Sequence, residues 1–253
     1  TIIGTEAVTH AAADGHTLLL TSDSTITSNP HLFKSLPYDP LKDLTAVTQL
    51  IDLHQMVVVH PSLAAGSIAE LVALAKAKPK SLNYASYGNG SQPHLLFEML
   101  KKQTGVDIEQ IPFKGIAPAV TAVLTGETQM TLSGYGVVAG HLKTGKMKAI
   151  AVGARARIAT NPDLPTLAEA GYPDIDPRSW FGLFAPGRTP APVVDRIQKA
   201  VSGVLAEPEF RSRYVEQVGN RAVGQPAAEF ARFIADDLAY KKRLITAAEI
   251  KPE

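Results

Sequence analysis

Leu82-Asn83-Tyr84-Ala85-Ser86-Tyr87-Gly88-Asn89-Gly90-Ser91-Gln92-Pro93-His94-Leu95-Leu96 decides how the rest of the chain is read. Leu82 to Ser86 has the length and apolar content of a buried strand, and Tyr87 to Ser91 is a glycine-rich turn. The residues after Pro93 read as a helix with Leu95, Leu96, Met99 and Leu100 on its apolar side, closed by Gly105. Strand, tight turn and helix in that order make one βα unit. A second follows: Ile108 to Phe113 as strand, Lys114-Gly115 as turn, a helix from near Pro118 to just before Gly126, then Gln129 to Leu132 as strand. Upstream, Ser67 and Glu70 form a capping box ahead of Ile68, Leu71, Val72 and Ala75, which share one helical face until Pro79 stops it.

Further out the pattern continues. Thr17 to Thr21 is an apolar strand that runs into the polar stretch Ser22 to Ser28. Pro30, Pro37 and Pro40 then break up a segment that should hold no long element before a second buried strand at Gln55 to Val59. Lys148 to Gly153 and Trp180 to Phe184 are later strands, and Thr166 with Glu169 should cap a short helix between them. The last third is mainly helical, with one stripe of Val193, Ile197, Ala200, Val201 and Val204 and another of Phe230, Phe233, Ile234 and Leu238. Arg221 to Gly224 is a candidate short strand between them. Alternating strands and helices of this kind predict an α/β protein around mostly parallel sheet.

Composition removes several functions. A net charge of +1 with dispersed Lys and Arg carries no electrostatic footprint for nucleic acid. The absence of cysteine excludes disulfide scaffolds, zinc-thiolate sites and thiol nucleophiles. No apolar run approaches the ~20 residues of a spanning helix. Neither a G-x-S-x-G elbow nor an H-E-x-x-H pair occurs, and His94 with Glu98, at i, i+4 spacing, would make no more than half a metal site. No metal, cofactor or catalytic residue is therefore assigned.

Ligands of open α/β sheets bind beyond the carboxyl ends of strands, which singles out three loops. Ser22 to Ser28 offers Ser22, Ser24 and Thr25 with Asp23, and reads equally well as a capping loop. In Ser86-Tyr87-Gly88-Asn89-Gly90-Ser91 the glycines can turn successive N–H groups toward one point at a helix start, a seat for a carboxylate or phosphate; the same glycines also serve a turn that needs them for sterics alone. Lys114 and Gly115 place a cation at another helix start, where a lone Lys is more often solvated surface. His94 reads as a first-turn residue touching the glycine turn, and Trp180-Phe181 as packing between domains.

Asn83 to Ser91 with Pro93-His94-Leu95, followed by Pro112-Phe113-Lys114-Gly115 and Ala117-Pro118-Ala119, resembles the Bug family of tripartite tricarboxylate transporter receptors. Leu36 to Pro40, Val58 to Pro61, Pro165 to Gly171 and Ser179 to Pro186 extend the resemblance over nearly the whole chain. It implies a type II periplasmic-binding-protein fold, two α/β lobes joined by crossing strands with the ligand cleft between them, closing as a Venus flytrap does. Lobe one would be residues 1–57 and 182–253, and lobe two 58–181. The implied function is an extracytoplasmic solute-binding receptor, not an enzyme, that captures a small organic carboxylate and delivers it to membrane permease subunits. The implied site comprises Ser22, Ser24, Thr25, Ser86 to Ser91, His94, Lys114, Gly115, Ser133 and Tyr135. The protein would be a periplasmic monomer whose export signal is not in this chain.

Two departures qualify the resemblance. Family members open with a strand and a Pro-Gly-Gly loop supplying the other half of the carboxylate clamp, whereas this sequence starts just beyond it, at Ile3-Gly4-Thr5-Glu6-Ala7. A lobe lacking that strand should expose an apolar sheet edge and bind more weakly than an extended chain. At Thr131-Leu132-Ser133-Gly134-Tyr135 members commonly carry Asp and Asn, so an amino-group contact is in doubt and there is room for an aromatic or apolar ligand beside Tyr135. Two other readings remain: a small α/β hydrolase or isomerase with His94 or Asp23 as base, and an effector-sensing module of the same fold.

Overall fold

The computed structural model describes residues 2–154 and 156–252. They divide into two compact units, one formed by the segments 1–53 and 179–253 and the other by 54–178. The chain passes from the first unit to the second at Leu53/His54 and returns at Arg178/Ser179.

The second unit carries a five-stranded sheet in the order β5-β4-β6-β3-β7, with β3 at Gln55–Val59, β4 at Leu82–Ser86, β5 at Ile108–Pro112, β6 at Met130–Gly134 and β7 at Lys148–Gly153. β4 runs parallel to β5 and β6, while β3 is antiparallel to both β6 and β7. Helices α3 (Ile68–Ala77), α4 (Gln92–Thr104), α5 (Ile116–Leu124) and α6 (Tyr135–Lys143) connect the strands. α3 begins with a close variant of its capping box: Ser67 Oγ accepts from Glu70 N–H at 3.2 Å, and Glu70 Oε2 accepts from the N–H of Gly66, one residue before the N-cap, at 2.6 Å. α4 ends on Gly105 in the left-handed region (φ 71°), a conformation glycine adopts without steric cost. One core lies between the sheet and α5 and α6, where Met56, Val58, Ala85, Val120, Val123 and Val138 are buried together.

The first unit holds α1 (Ile2–Thr9), β1 (Leu19–Ser22), α2 (Asn29–Leu32), β2 (Leu44–Leu53), β8 (Ser179–Pro186), α7 (Ala191–Ala206), α8 (Pro208–Arg211), β9 (Arg221–Ala222) and α9 (Ala227–Ala247). Its strands order as β1-β8-β2-β9, and every pairing among them is antiparallel. The expectation of mostly parallel sheet therefore fails here and holds only for β4, β5 and β6. Leu20 on the edge strand β1 is 61% exposed and borders an apolar groove of about 650 Å³ shared with Phe181, Val204 and Tyr214.

Trp180 is fully buried in this unit, its ring edge-on to Phe230 at 5.3 Å and 5.8 Å from Phe233. It is core of the first unit, where the sequence suggested packing between domains. Gly182 makes room for the Phe230 ring, which a Cβ there would overlap. Beside the aromatics is a buried polar cluster. Lys241 Nζ donates to Asp23 Oδ2 at 2.9 Å, Ser179 Oγ donates to Asp23 Oδ1 at 2.8 Å, and Trp180 Nε1 and Thr27 Oγ1 donate to Asp237 Oδ2 at 3.0 and 2.8 Å. Asp23, Asp237 and Lys241 are all fully buried.

Several elements depart from the sequence reading. Ser24–Ser28 is a π-helical turn, not an open polar loop, and Thr25, Ile26, Thr27 and Ser28 are buried. The ten-residue β2 follows directly on the Pro-rich segment that promised no long element. α5 starts at Ile116, with Pro118 inside its first turn, where no intrahelical N–H is needed. Thr166 and Glu169 form their reciprocal bonds, at 2.8 and 3.1 Å, around a hydrogen-bonded turn instead of a helix.

Burial holds the Asp237 carboxyl above the ordinary carboxylate range; Lys241 opposes this and Asp23 adds to it. A carboxyl whose folded-state pKa is raised contributes stability at low pH and loses it as pH climbs through that raised value. Urea denaturation across pH should show the Asp237→Asn variant gaining on the wild type from about pH 4 upward, the ordinary Asp range. Lys241→Met, which strands the Asp23 charge, should cost about 3–5 kcal/mol.

Candidate ligand-binding site

Parallel pairing places the carboxyl ends of β4, β5 and β6 on one edge of the second unit's sheet. Tyr84 and Ser86 stand opposite Gln110 and Pro112, and Ala85 opposite Thr131. Phe113 N–H donates to Ser86 O at 2.8 Å, carrying the β4–β5 ladder one step past the strands. With strands about 4.8 Å apart, the three loops leaving this edge lie within about 10 Å of one another. They carry Ser86 to Ser91, Lys114-Gly115 and Ser133 to Tyr135, which are the second-unit residues the sequence had singled out.

Each loop starts a helix, and none of the three starts has a side-chain cap. Gly115 precedes α5 and Gly134 precedes α6, residues with no side chain to offer, and at α4 the N-cap Ser91 makes no capping bond. Ser91 Oγ instead donates to Gly88 O at 2.7 Å, closing the turn on itself. The first N–H groups of a helix have no intrahelical acceptor and together present roughly half a positive charge. α3, whose strand β3 runs the other way and ends at the opposite edge, is fully boxed. Within the second unit, side-chain caps are missing at the edge where the candidate loops gather and present at the other; the long helices α7 and α9 of the first unit also start without one.

The turn owes its shape to Gly88 and Gly90, at φ 120° and 67°, values that side-chain-bearing residues rarely adopt. Gln110 Nε2 donates to Ser86 Oγ at 2.8 Å, and Gly90 N–H donates to His94 Nδ1 at 2.9 Å. Burial pushes the His94 pKa down; Glu98 opposes this and Lys101 reinforces it. A neutral ring accepting at Nδ1 carries its proton at Nε2. His94 is therefore a brace for the turn. Glu98, its i+4 neighbour, accepts from Tyr84 Oη at 3.0 Å and pairs with Lys101 at 2.9 Å. No group of three or more His, Asp and Glu side chains suited to a metal ion occurs among the described residues.

Lys114 is exposed, Tyr135 half-buried, and Ser133 buried. Ser133 Oγ has no hydrogen-bond partner, nor does Oε1 of the buried Gln55 at the head of β3. Gln55, which pairs with Gly134, was not among the residues the sequence singled out. Its signal was a lone amide opening an otherwise apolar strand. Ser22, Ser24 and Thr25 lie in the first unit. Ser22 and Ser24 are half-buried, and Thr25 Oγ1 is buried and accepts from Thr21 Oγ1 at 2.8 Å. Asp23 is committed to Lys241 and Ser179 in the core, a place unsuited to a general base.

The His94 brace is open to NMR. Its imidazole should titrate below the ordinary value near 6.5, and the Gly90 amide resonance should move with the same midpoint, because protonation removes the Nδ1 acceptor. A Gly90 resonance indifferent to that titration would dispose of the brace.

The family model described as the tripartite tricarboxylate transporter family receptor matches residues 1–250. Protein BugT of Bordetella pertussis is 33% identical over 238 residues, covering 94% of this chain and 73% of BugT. The structure of R. palustris Rpa4515 with adipate has a TM-score of 0.92 at 28% identity, covering 100% of this chain and 84% of that one. MatC (Rpa3494) from Rhodopseudomonas palustris with bound malate gives 0.85 at 28% identity, covering 96% and 84%. No helix among the described residues is long and apolar enough to cross a membrane. With both sequence and fold matched along almost its full length, the chain belongs to the tripartite tricarboxylate transporter receptor family, that of the Bug proteins, and is a two-lobed α/β solute-binding receptor, not an enzyme.

Proposed function

We propose that this receptor captures a small organic carboxylate and that the carboxylate sits at the edge where α4, α5 and α6 begin. The observation that carries this reading is the set of three helix starts without side-chain caps on one sheet edge, set against the boxed start of α3. An anion there gains from backbone N–H donors and from aligned helix dipoles without a dedicated cation. Adipate and malate, found in the two related structures, are ligands of this class. The two compact units are the lobes. Tyr87, Gly88, Asn89 and Gly90 supply the turn, His94 holds it, and Lys114 adds long-range attraction. A single chain provides all these groups, so the receptor works as a monomer. It acts in the periplasm and hands its ligand to the membrane permease subunits of a tripartite transporter.

A thermal-shift screen of mono-, di- and aromatic carboxylates tests this. A ligand at a hundredfold its Kd should add about 2.7 kcal/mol to stability. Ser91→Asp supplies the control: a carboxylate at the α4 N-cap satisfies the donors internally, so the fold should keep or gain stability while ligand affinity falls at least tenfold. Undiminished affinity in that variant would move the carboxylate elsewhere.

A further inference from the structure

Five asparagines occur in the chain, at 29, 83, 89, 161 and 220, and only Asn89 is followed by glycine. Asparagine is thermally labile because the nitrogen of the next peptide bond can attack its side-chain amide. With glycine next, no side chain hinders that approach. Asn29 and Asn161 precede proline, whose nitrogen has no proton to give up, so this route is closed to them. Asn89 is exposed, and Gly90 is buried with φ at 67°.

A peptide nitrogen is a poor nucleophile until its proton is removed, and here a base stands on that proton. Gly90 N–H donates to His94 Nδ1 at 2.9 Å. An imidazole accepting at that nitrogen is neutral, and burial favours the neutral ring. The ionisable groups around it are Glu98, which favours protonation, and Lys101, which opposes it, both on α4, with Tyr84 of β4 donating to Glu98. Gly88 O accepts from Ser91 Oγ at 2.7 Å and from Ser91 N–H at 3.3 Å. The backbone is thus pinned on both sides of Asn89-Gly90, which keeps the amide on the ring.

We propose that Asn89-Gly90 is a self-modification site with His94 as its base, and that the product puts a carboxylate into the turn that seats the ligand. His94 Nδ1 takes the Gly90 amide proton as the Gly90 nitrogen bonds to Asn89 Cγ. The imidazolium returns the proton to the side-chain nitrogen, which leaves as ammonia, and a cyclic succinimide remains. Water then opens the ring. Breaking the bond from Gly90 N to Cγ gives aspartate, and breaking the bond from Gly90 N to the main-chain carbonyl carbon of residue 89 gives isoaspartate. No oxidant or reductant takes part. The effect on the ligand rests on the carboxylate reading above; the chemistry is independent of it.

The purified chain, incubated and digested with trypsin, yields peptide 81–101, in which tandem mass spectrometry separates deamidation at Asn89 from that at Asn83. In the native chain the rate at Asn89 should stay within about twofold between pH 7 and pH 8, where the imidazole is already neutral, whereas in urea it should rise about tenfold with hydroxide concentration. His94→Asn keeps an acceptor for Gly90 N–H without a base, and should slow the native reaction at pH 7 at least about tenfold. Native Asn89 that is spared while the unfolded chain deamidates, a native rate that follows hydroxide, or an undiminished rate in His94→Asn each overturns the site. Thermal shift with succinate, malate and adipate reads the second part: any that stabilises the wild type should not stabilise Asn89→Asp, because like charges then meet in the turn. A shift retained by Asn89→Asp overturns the effect on the ligand. A wild type that none of the three stabilises overturns the carboxylate reading and that effect with it, and the mass spectra still decide the chemistry.

Discussion

Parallel pairing of β4 with β5 and β6 is the constraint from which the site follows. Parallel strands cannot be joined by hairpins, so each return crosses over through a helix that begins where the strand ends. Three strands in one direction therefore deliver three helix starts to one edge. What the local sequence decides is whether those starts are capped. Gly115 and Gly134 offer no side chain, and Ser91 spends its hydroxyl on the turn. Antiparallel β3 sends α3 to the far edge, where Ser67 and Glu70 close it in the ordinary way.

The first unit depends on a different economy. Its sheet is antiparallel and its core aromatic, yet two carboxylates and an ammonium lie among the rings. Asp23 and Lys241 neutralise each other, and Asp237 shares one oxygen between Trp180 and Thr27 while its other oxygen has no partner. Such a cluster is a poor source of stability compared with apolar packing, but it strongly favours one arrangement over others because each misplacement strands a charge. The bonds run to Asp23 and Thr27, on either side of the π-helical turn's first residues, so the position of the hydroxyl-bearing segment is set from beneath.

Much of the second unit was legible because its signals are local. The capping box, the Gly88 and Gly90 turn, the apolar stripe of α4 and the terminating Gly105 all act within a few residues of one another. β2 was missed because Thr45, Thr48, Gln49 and Asp52 interrupt its apolar content and prolines precede it, while its pairing partner β8 is more than a hundred residues away. Ser24 to Ser28 looked like solvated loop for a related reason: hydroxyls read as surface until a distant Asp237 and a Tyr38 that donates to Thr25 O show them to be buried. Ser133 and Tyr135 entered only through resemblance, since nothing in their residue types marks a site. The missing partner of Ser133 is visible only in the fold.

The ion pair between Asp23 and Lys241 closes a loop of 218 residues, and Ser179 reaches Asp23 across 156. Every residue of the second unit lies inside those loops, as one unbroken segment. A chain synthesised from its N-terminus can therefore finish its second unit before its first, and the earliest segment must wait, with Asp23 uncompensated, until the last helix arrives. Closing so long a loop costs little extra entropy once the intervening segment is already compact, because the effective separation of its ends is then set by a folded body and not by a coil. The inserted unit serves in this sense as a spacer that brings the two halves of its neighbour within reach.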